Sequence, residues 1–144
     1  MEARHDVRVR RGRRSDLPRV HALLSASAGP RRERFDRRTL ASLAGDVYVA
    51  EDAAGAIVGV VSVAYLRSLG EGRFAAVLDA ARAAADSPSL LDRLIAFAEA
   101  RARRRGCPRL AARLGPDDRA LRTALESRGY RTSDLLVGDI GEAG

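Results

Sequence analysis

Hydrophobic positions along this chain change period several times, and each change marks an element. Val7 and Val9 alternate with arginine in "DVRVRRG", the two-residue period of a short strand. "RRSDLPRVHALLSASAG" places Leu17, Val20, Leu23 and Leu24 on one helical face, with Pro18 in the first turn and Gly29-Pro30 ending the region. "RRERFDRRTLASLAG" predicts a second helix, anchored by Phe35, Leu40 and Leu43 and stopped at Gly45. The period then returns to two. Val47 to Glu51 and Ile57 to Leu66 read as strands, with Asp52 to Gly55 as the turn between them. Gly70-Glu71-Gly72 makes the next turn, and Phe74 to about Asp79 the next strand. These three strands form an antiparallel meander that Val7–Arg11 extends to four. Gly59, inside a β-branched run, marks a bulge or a close backbone approach.

The longest helix runs from Pro88 to about Arg105. Ser87 suits its N-cap, Pro88 its first position and Gly106 its C′ position. Leu90, Leu91, Leu94, Ile95, Ala98 and Ala102 form its apolar stripe, and Glu99 stands one turn before Arg103 as a pairing candidate. Arg101, Arg103, Arg104 and Arg105 gather at the negative end of the helix dipole. "PRLAARL" reads as a short strand. "GPDDRALRTALESRGY" is a capped helix: Pro116, then Asp117 or Asp118 as cap, Leu121, Ala124 and Leu125 inward, Gly129 at the end. "YRTSDLLVGDI" supplies a last strand or bent strand pair. The order is β-α-α-β-β-β-α-β-α-β, one domain over residues 1–144 without internal repeats.

Composition narrows the class. At 144 residues, 46% hydrophobic and 31% charged, the chain is of a size and make-up for a single globular core. The basic N-terminus lacks an apolar run, and no apolar run approaches the ~20 residues of a spanning helix, so the expectation is a cytoplasmic protein without membrane segments. The lone Cys107 excludes an internal disulfide and a multi-cysteine metal site, and reads as a small buried hydrophobe. His21 sits at the edge of the first helix's stripe and reads as a packing or surface residue rather than a base. All 26 basic residues are arginine, and lysine, asparagine and glutamine are absent. Those missing types use A-rich codons, so genome composition explains the choice. The net charge of +7 lies wholly in the first quarter, through Arg38. That basic surface either attracts an anionic partner or is a solvated face. Only 4% of residues are aromatic, and none interleave with the arginines for base stacking, which argues against nucleic acid as the partner.

The element order and several local sequences resemble the GNAT superfamily of acyl-CoA-dependent N-acyltransferases. "VRVRRGRRSDLPRV" is similar to that family's opening strand and helix, through Val9, Arg10, Asp16, Leu17, Pro18 and Val20. "AGAIVGVVSV" is similar to its second hairpin, with Gly59 at the usual glycine. "LIAFAEARARRRGCPRLAARL" resembles the end of its cofactor motif, and "DRALRTALESRGYRT" its last helix with the Gly129-Tyr130 ending. The resemblance implies an α+β, GNAT-like α/β/α fold with a mixed, mostly antiparallel sheet flanked by helices. It also implies acetyl-CoA or another acyl-CoA as cofactor, a small-molecule or peptide amine as acceptor, and admits a homodimer. A carboxylate, or a water it holds, would take the amine proton: Asp79 first, with Glu71 and Glu51 as other candidates. The cofactor would meet Val77, Leu78 and Ala80 on the fourth strand, and Ser87, Ser89, Leu90 and Leu91 at the long helix's start. No metal is implied.

Two positions depart from that pattern. The Arg/Gln-x-x-Gly-x-Gly/Ala signature falls on Asp86, Ser89 and Leu91, and no glycine lies between Gly72 and Gly106. Glycines there let backbone N–H groups approach a pyrophosphate, whereas Leu91 adds bulk and Asp86 adds the wrong charge. The tyrosine expected four residues before Gly129 is Leu125, which donates no proton, and Tyr130 reads as core. Ser127 and Ser133 are the available substitutes. Two readings follow: an acyltransferase in which the Ser87 and Ser89 hydroxyls supply replacement donors, or a catalytically degenerate GNAT-fold domain acting as a binding or interaction module.

Overall fold

A computed structural model describes residues 6–25 and 29–141. Residues 1–5, with part of the basic N-terminus, and the expected continuation of the first helix through residues 26–28 lie outside them. The strands are β1 (Arg8–Arg11), β2 (Gly45–Glu51), β3 (Ile57–Ser68), β4 (Arg73–Ala83) and β5 (Leu110–Ala112). The helices are α1 (Leu17–Leu24), α2 (Pro30–Ala41), α3 (Pro88–Arg104) and α4 (Arg119–Ser127), with single 3-10 turns at Arg14–Asp16 and Ala84–Asp86. The sheet order is β1-β2-β3-β4-β5, antiparallel throughout except for the parallel β4–β5 pair.

Alternation divides the side chains of each strand between two layers. Ala50, Val61, Val63 and Tyr65 face α3 and α4 in the larger core, while Val49 and Val60 pack with Val20 of α1 in the smaller one. The α3 stripe fills the larger core: Leu91, Leu94, Ile95, Ala98 and Ala102 are all buried. At Gly59 the Leu94 side chain of α3 comes close to the sheet backbone. A Cβ built there would stand 3.2 Å from the Leu94 Cδ1 and 3.2 Å from the Ala50 Cβ, tighter than ordinary contact, so a side chain would require those neighbours to give. Gly106, at φ +80, ends α3 in the left-handed conformation its position demands.

β4 reaches four residues beyond Asp79 because a bulge re-phases it. Ser62 pairs with Ala80 and Val63 with Leu78, leaving Asp79 as the extra residue. Ala76 and Leu78 before the bulge therefore share the α3 face with Ala81 and Ala83 after it.

Several expectations are corrected. α2 buries no residue completely: Phe35 is 68% and Leu43 81% exposed, and only the flank of Leu40 reaches Gly12. The helix packs on β2 alone among the strands it touches closely, and the described residues form no second layer over its other face. Gly45 does not stop α2, which ends at Ala41; it opens β2 instead. Glu99 pairs with Arg128 rather than Arg103, accepting hydrogen bonds from that guanidinium and from the Tyr130 hydroxyl and joining α3 to the end of α4. No strand forms in residues 130–141, because that segment meets neither sheet edge.

Two carboxylates clasp the layers. Asp46 is 1% exposed; it accepts from Tyr65 Oη at 2.8 Å and lies 3.4 Å from Arg101 Nε and 3.5 Å from Arg105 Nη2. The same guanidinium groups lie over the Tyr48 and Tyr65 rings, at 5.5 and 4.5 Å. The arginines at the α3 C-terminus thus dock helix to sheet, which the dipole argument alone did not reveal. Asp16 receives Arg10 Nη1 and Nη2 at 2.8 and 2.9 Å and the Arg13 N–H at 2.7 Å, while Arg10 Nε donates to Glu51 at 2.7 Å.

Asp46→Ala is expected to cost about 3 kcal/mol in urea unfolding, since two cations and a buried phenol lose their shared partner. Hydrogen bonding from Arg10, against the opposing effect of burial, holds the Asp16 carboxyl below its ordinary range. Its stabilisation is complete above about pH 5 and is lost as pH falls through the unfolded and then the lowered folded value. Asp16→Asn should flatten that acid limb in pH-dependent melts.

Candidate functional site

The sheet splits at one place. Ala76, Val77 and Leu78 pair with Leu110, Ala111 and Ala112, and the Arg113 N–H closes the ladder on the Leu78 carbonyl at 3.1 Å. Beyond it β4 continues along β3 to Ala83, while the chain after β5 turns through Gly115–Asp118 into α4. The split and the Asp79 bulge coincide. Asp79 is exposed there and Ala80 half-buried. Val77 and Leu78 have their outer backbone edge taken by β5, and the Leu78 side chain lies in the core at 0% exposure. Of the three strand positions expected to meet a cofactor, only Ala80 is past the ladder.

The start of α3 faces the same opening. Pro88 has no N–H, the Leu90 N–H donates to Ser87 Oγ at 3.4 Å, and the Leu91 N–H to the Ser87 carbonyl at 3.0 Å. These bonds leave the Ser89 N–H at the positive end of the helix, with the Ser87 and Ser89 hydroxyls 3.3 Å apart. Leu91 is 2% exposed and floors the opening. Ala85 and Asp86 both take left-handed φ, 54° and 50°, in the tight turn that leads into the helix.

A strap closes the opening. Arg82 Nη2 lies 2.7 Å from Asp118 Oδ1, and Asp118 Oδ2 accepts the Gly115 N–H at 2.7 Å. The cleft beside it, bordered by Ala81, Arg82, Asp86, Leu91, Asp118 and Leu121, measures about 10 Å³. That is room for one water, against roughly 300–1,000 Å³ for a small-molecule site. The strap is weak. The Arg82 side chain is 32% exposed, so the pair contributes about 1 kcal/mol or less, and β5 holds to β4 by only three residue pairs. As it stands this space does not admit acyl-CoA, and would do so only in a form with the Gly115–Asp118 turn moved off Arg82. In that open form the Ser89 N–H, the two serine hydroxyls and the freed Arg82 guanidinium would hold the diphosphate, opposed by the nearby Asp86 and Asp117 charges. The pairing of Arg82 with Asp118, a residue the sequence marked only as a candidate cap, had no signal in the sequence, because 36 positions separate residues that only the return of the chain after β5 brings together.

The other candidate residues lie apart. Glu71 is in the β3–β4 turn, at the opposite end of β4 from the split, and Glu51 is bound by Arg10. His21 Nε2 bonds Asp36, which Arg32 also pairs, so the ring bridges α1 to α2. It borders an open groove of about 920 Å³ whose rim carries Arg13, Arg14, Ser15 and Glu33. Cys107 is buried, and burial pushes its thiol up. Leu125 is core, and Tyr130 packs against that core with its hydroxyl on Glu99; burial first, then that bond, pushes its phenol up. Ser127 Oγ donates to the Thr123 carbonyl within α4, and Ser133 lies in the exposed C-terminal segment. Among the described residues, no helix is long and apolar enough to cross a membrane.

No family model and no curated protein matches the sequence. Solved structures do match. An aminoglycoside 6'-N-acetyltransferase from Acinetobacter baumannii superposes with a TM-score of 0.78 at 12% identity, over 96% of this chain and 99% of that one. An aminoglycoside N-acetyltransferase in complex with CoA gives 0.79 at 11% identity, over 99% of each chain. A ribosomal-protein-alanine N-acetyltransferase from Brucella melitensis gives 0.72 at 18% identity, over 94% and 99%. At such identities the likeness is one of architecture, and it extends over nearly the whole chain: this protein has the GNAT N-acetyltransferase fold.

Proposed function

We propose that this chain is an N-acetyltransferase-like protein that transfers an acyl group from acyl-CoA to an amine. One observation carries the reading: in this fold, the sheet splits between β4 and β5 at the residue where β4 bulges, beside the N-terminus of α3. Bound there, acyl-CoA would supply the activated acyl group. The chain's own part is to place an amine and take up its proton. Asp79, exposed at the bulge and outside the ladder, is the group for that proton, directly or through a water. The basic rim at Arg13 and Arg14 favours an acceptor that also carries an anionic group.

A second reading, a GNAT-fold binding module without catalysis, is supported by the Arg82–Asp118 strap and the missing glycines. Calorimetry separates the two. The enzyme reading expects one acetyl-CoA per chain; no heat and no thermal shift at millimolar acetyl-CoA or CoA would leave only the module. Given binding, Asp79→Asn should lower turnover of an accepted amine by about a hundredfold while leaving acetyl-CoA affinity unchanged. Asp118→Asn keeps the acceptor for the Gly115 N–H but discharges the strap, and should tighten acetyl-CoA about fivefold by the same titration.

A further inference from the structure

Beyond Arg38 the chain carries no net charge, yet the fold sorts its charges along the strands. At the pole opposite the split, β3 ends and β4 and β5 begin. The end of α3 is there too, where Arg105 Nη1 donates to the Leu43 carbonyl at 2.9 Å. The segments at this pole, residues 43–46, 66–73 and 101–109, hold seven arginines against two carboxylates. Of those two, Asp46 is buried and already faces Arg101 and Arg105, so Glu71 is the one in water. Arg67, Arg73, Arg103, Arg104 and Arg109 are exposed, and none forms an ion pair with another described residue.

Three leucines stand among these cations. Leu69 is 100%, Leu43 81% and Leu66 59% exposed. Leu69 tops the β3–β4 turn, which the Ser68 carbonyl and hydroxyl close by accepting the Gly72 and Glu71 N–H groups at 2.9 and 3.2 Å. The Ala44 carbonyl accepts the Tyr65 N–H at 2.8 Å, which brings Leu43 alongside the end of β3 that carries Leu66. The aromatic rings nearby are already covered: Phe74, Tyr65 and Tyr48 lie beneath Arg67, Arg105 and Arg101, at 5.0, 4.5 and 5.5 Å. What the pole offers to solvent is aliphatic tips ringed by guanidinium groups. A nucleic-acid strand is gripped through stacking rings, which are not on offer here. A lipid surface takes both parts, the apolar tips among its headgroups and the arginines on its phosphates.

We propose that this pole docks on the surface of an anionic lipid bilayer, with Leu43, Leu66 and Leu69 entering the headgroup layer and Arg67, Arg73, Arg103, Arg104 and Arg109 on the lipid phosphates. The contact is peripheral and needs no spanning helix. It turns the β4–β5 split, at the other end of β4, away from the lipid and leaves it open to solvent. The docking is independent of acyl transfer, and a chain without that activity would bind equally well.

Flotation of the full chain with vesicles tests this. The chain should float with phosphatidylcholine vesicles that contain phosphatidylglycerol, stay behind with phosphatidylcholine alone, and be released as salt is raised. Arg67→Glu with Arg73→Glu should weaken partitioning about tenfold or more. Leu43→Ser with Leu69→Ser leaves the charge unchanged and should also weaken it about tenfold. Arg93→Glu with Arg119→Glu makes the same charge change near the split, and should lower it less than about threefold. All six positions are exposed, and circular dichroism serves to confirm that each variant is folded. Failure to float with the anionic vesicles, or equal flotation with neutral ones, would overturn the proposal. So would a loss as large from the Arg93 and Arg119 pair. Indifference to the leucine pair, with duplex DNA displacing the vesicles, would reduce the pole to a polyanion surface and overturn it as well.

Discussion

The packing of α3 against the middle of the sheet is the contact on which the rest of this protein stands. Its stripe, from Leu91 to Ala102, is the bulk of the larger core and touches both β3 and β4. The closeness of that contact depends on Gly59, and the angle is held at the far end by Arg101 and Arg105 on Asp46. Apolar burial there stabilises without direction, while the carboxylate and two aromatic faces supply direction. With α3 fixed at both ends, its N-terminus is held beside the β4–β5 split.

The site follows from a strand that cannot keep both neighbours. β4 stays paired with β3 throughout, but it bulges at Asp79 and parts from β5 one residue earlier. Bulges bend and twist a strand, so bulge and split are one event seen on two edges. The opening then has a carboxylate at its mouth, a helix N-terminus at its inner end and an ion pair across it. A loop of glycines would present many amides to phosphate; here Pro88 and the Ser87 cap consume most of them, and the nearby cation, Arg82, is paired with Asp118.

Charge has been distributed to match. Much of the excess arginine in the first quarter is spent internally: Arg10 on Asp16 and Glu51, Arg19 on the Ile57 carbonyl, Arg32 on Asp36. Arg13 and Arg14 lie on the groove rim, Arg14 within 3.7 Å of Glu33.

The strands, the helices and their order through α4 were legible in the sequence, because each is set by local periodicity and by caps within a few residues. The α3 stripe, Gly59 as a close approach, Gly106 as a stop and Cys107 as core followed from the same local rules. Asp79 was legible as a carboxylate near a strand end, though not as a bulge, since a bulge is defined only against the partner strand. Phe35, Leu43 and the segment after Tyr130 misled, because an apolar residue announces that it can be buried and not whether a surface is there to receive it. The Asp46 clasp, the Glu99–Arg128 link and the Arg82–Asp118 strap join residues between 19 and 59 positions apart. Hydrogen bonds and ion pairs act over a few ångströms and leave no period in the chain, so only the tertiary structure could decide them.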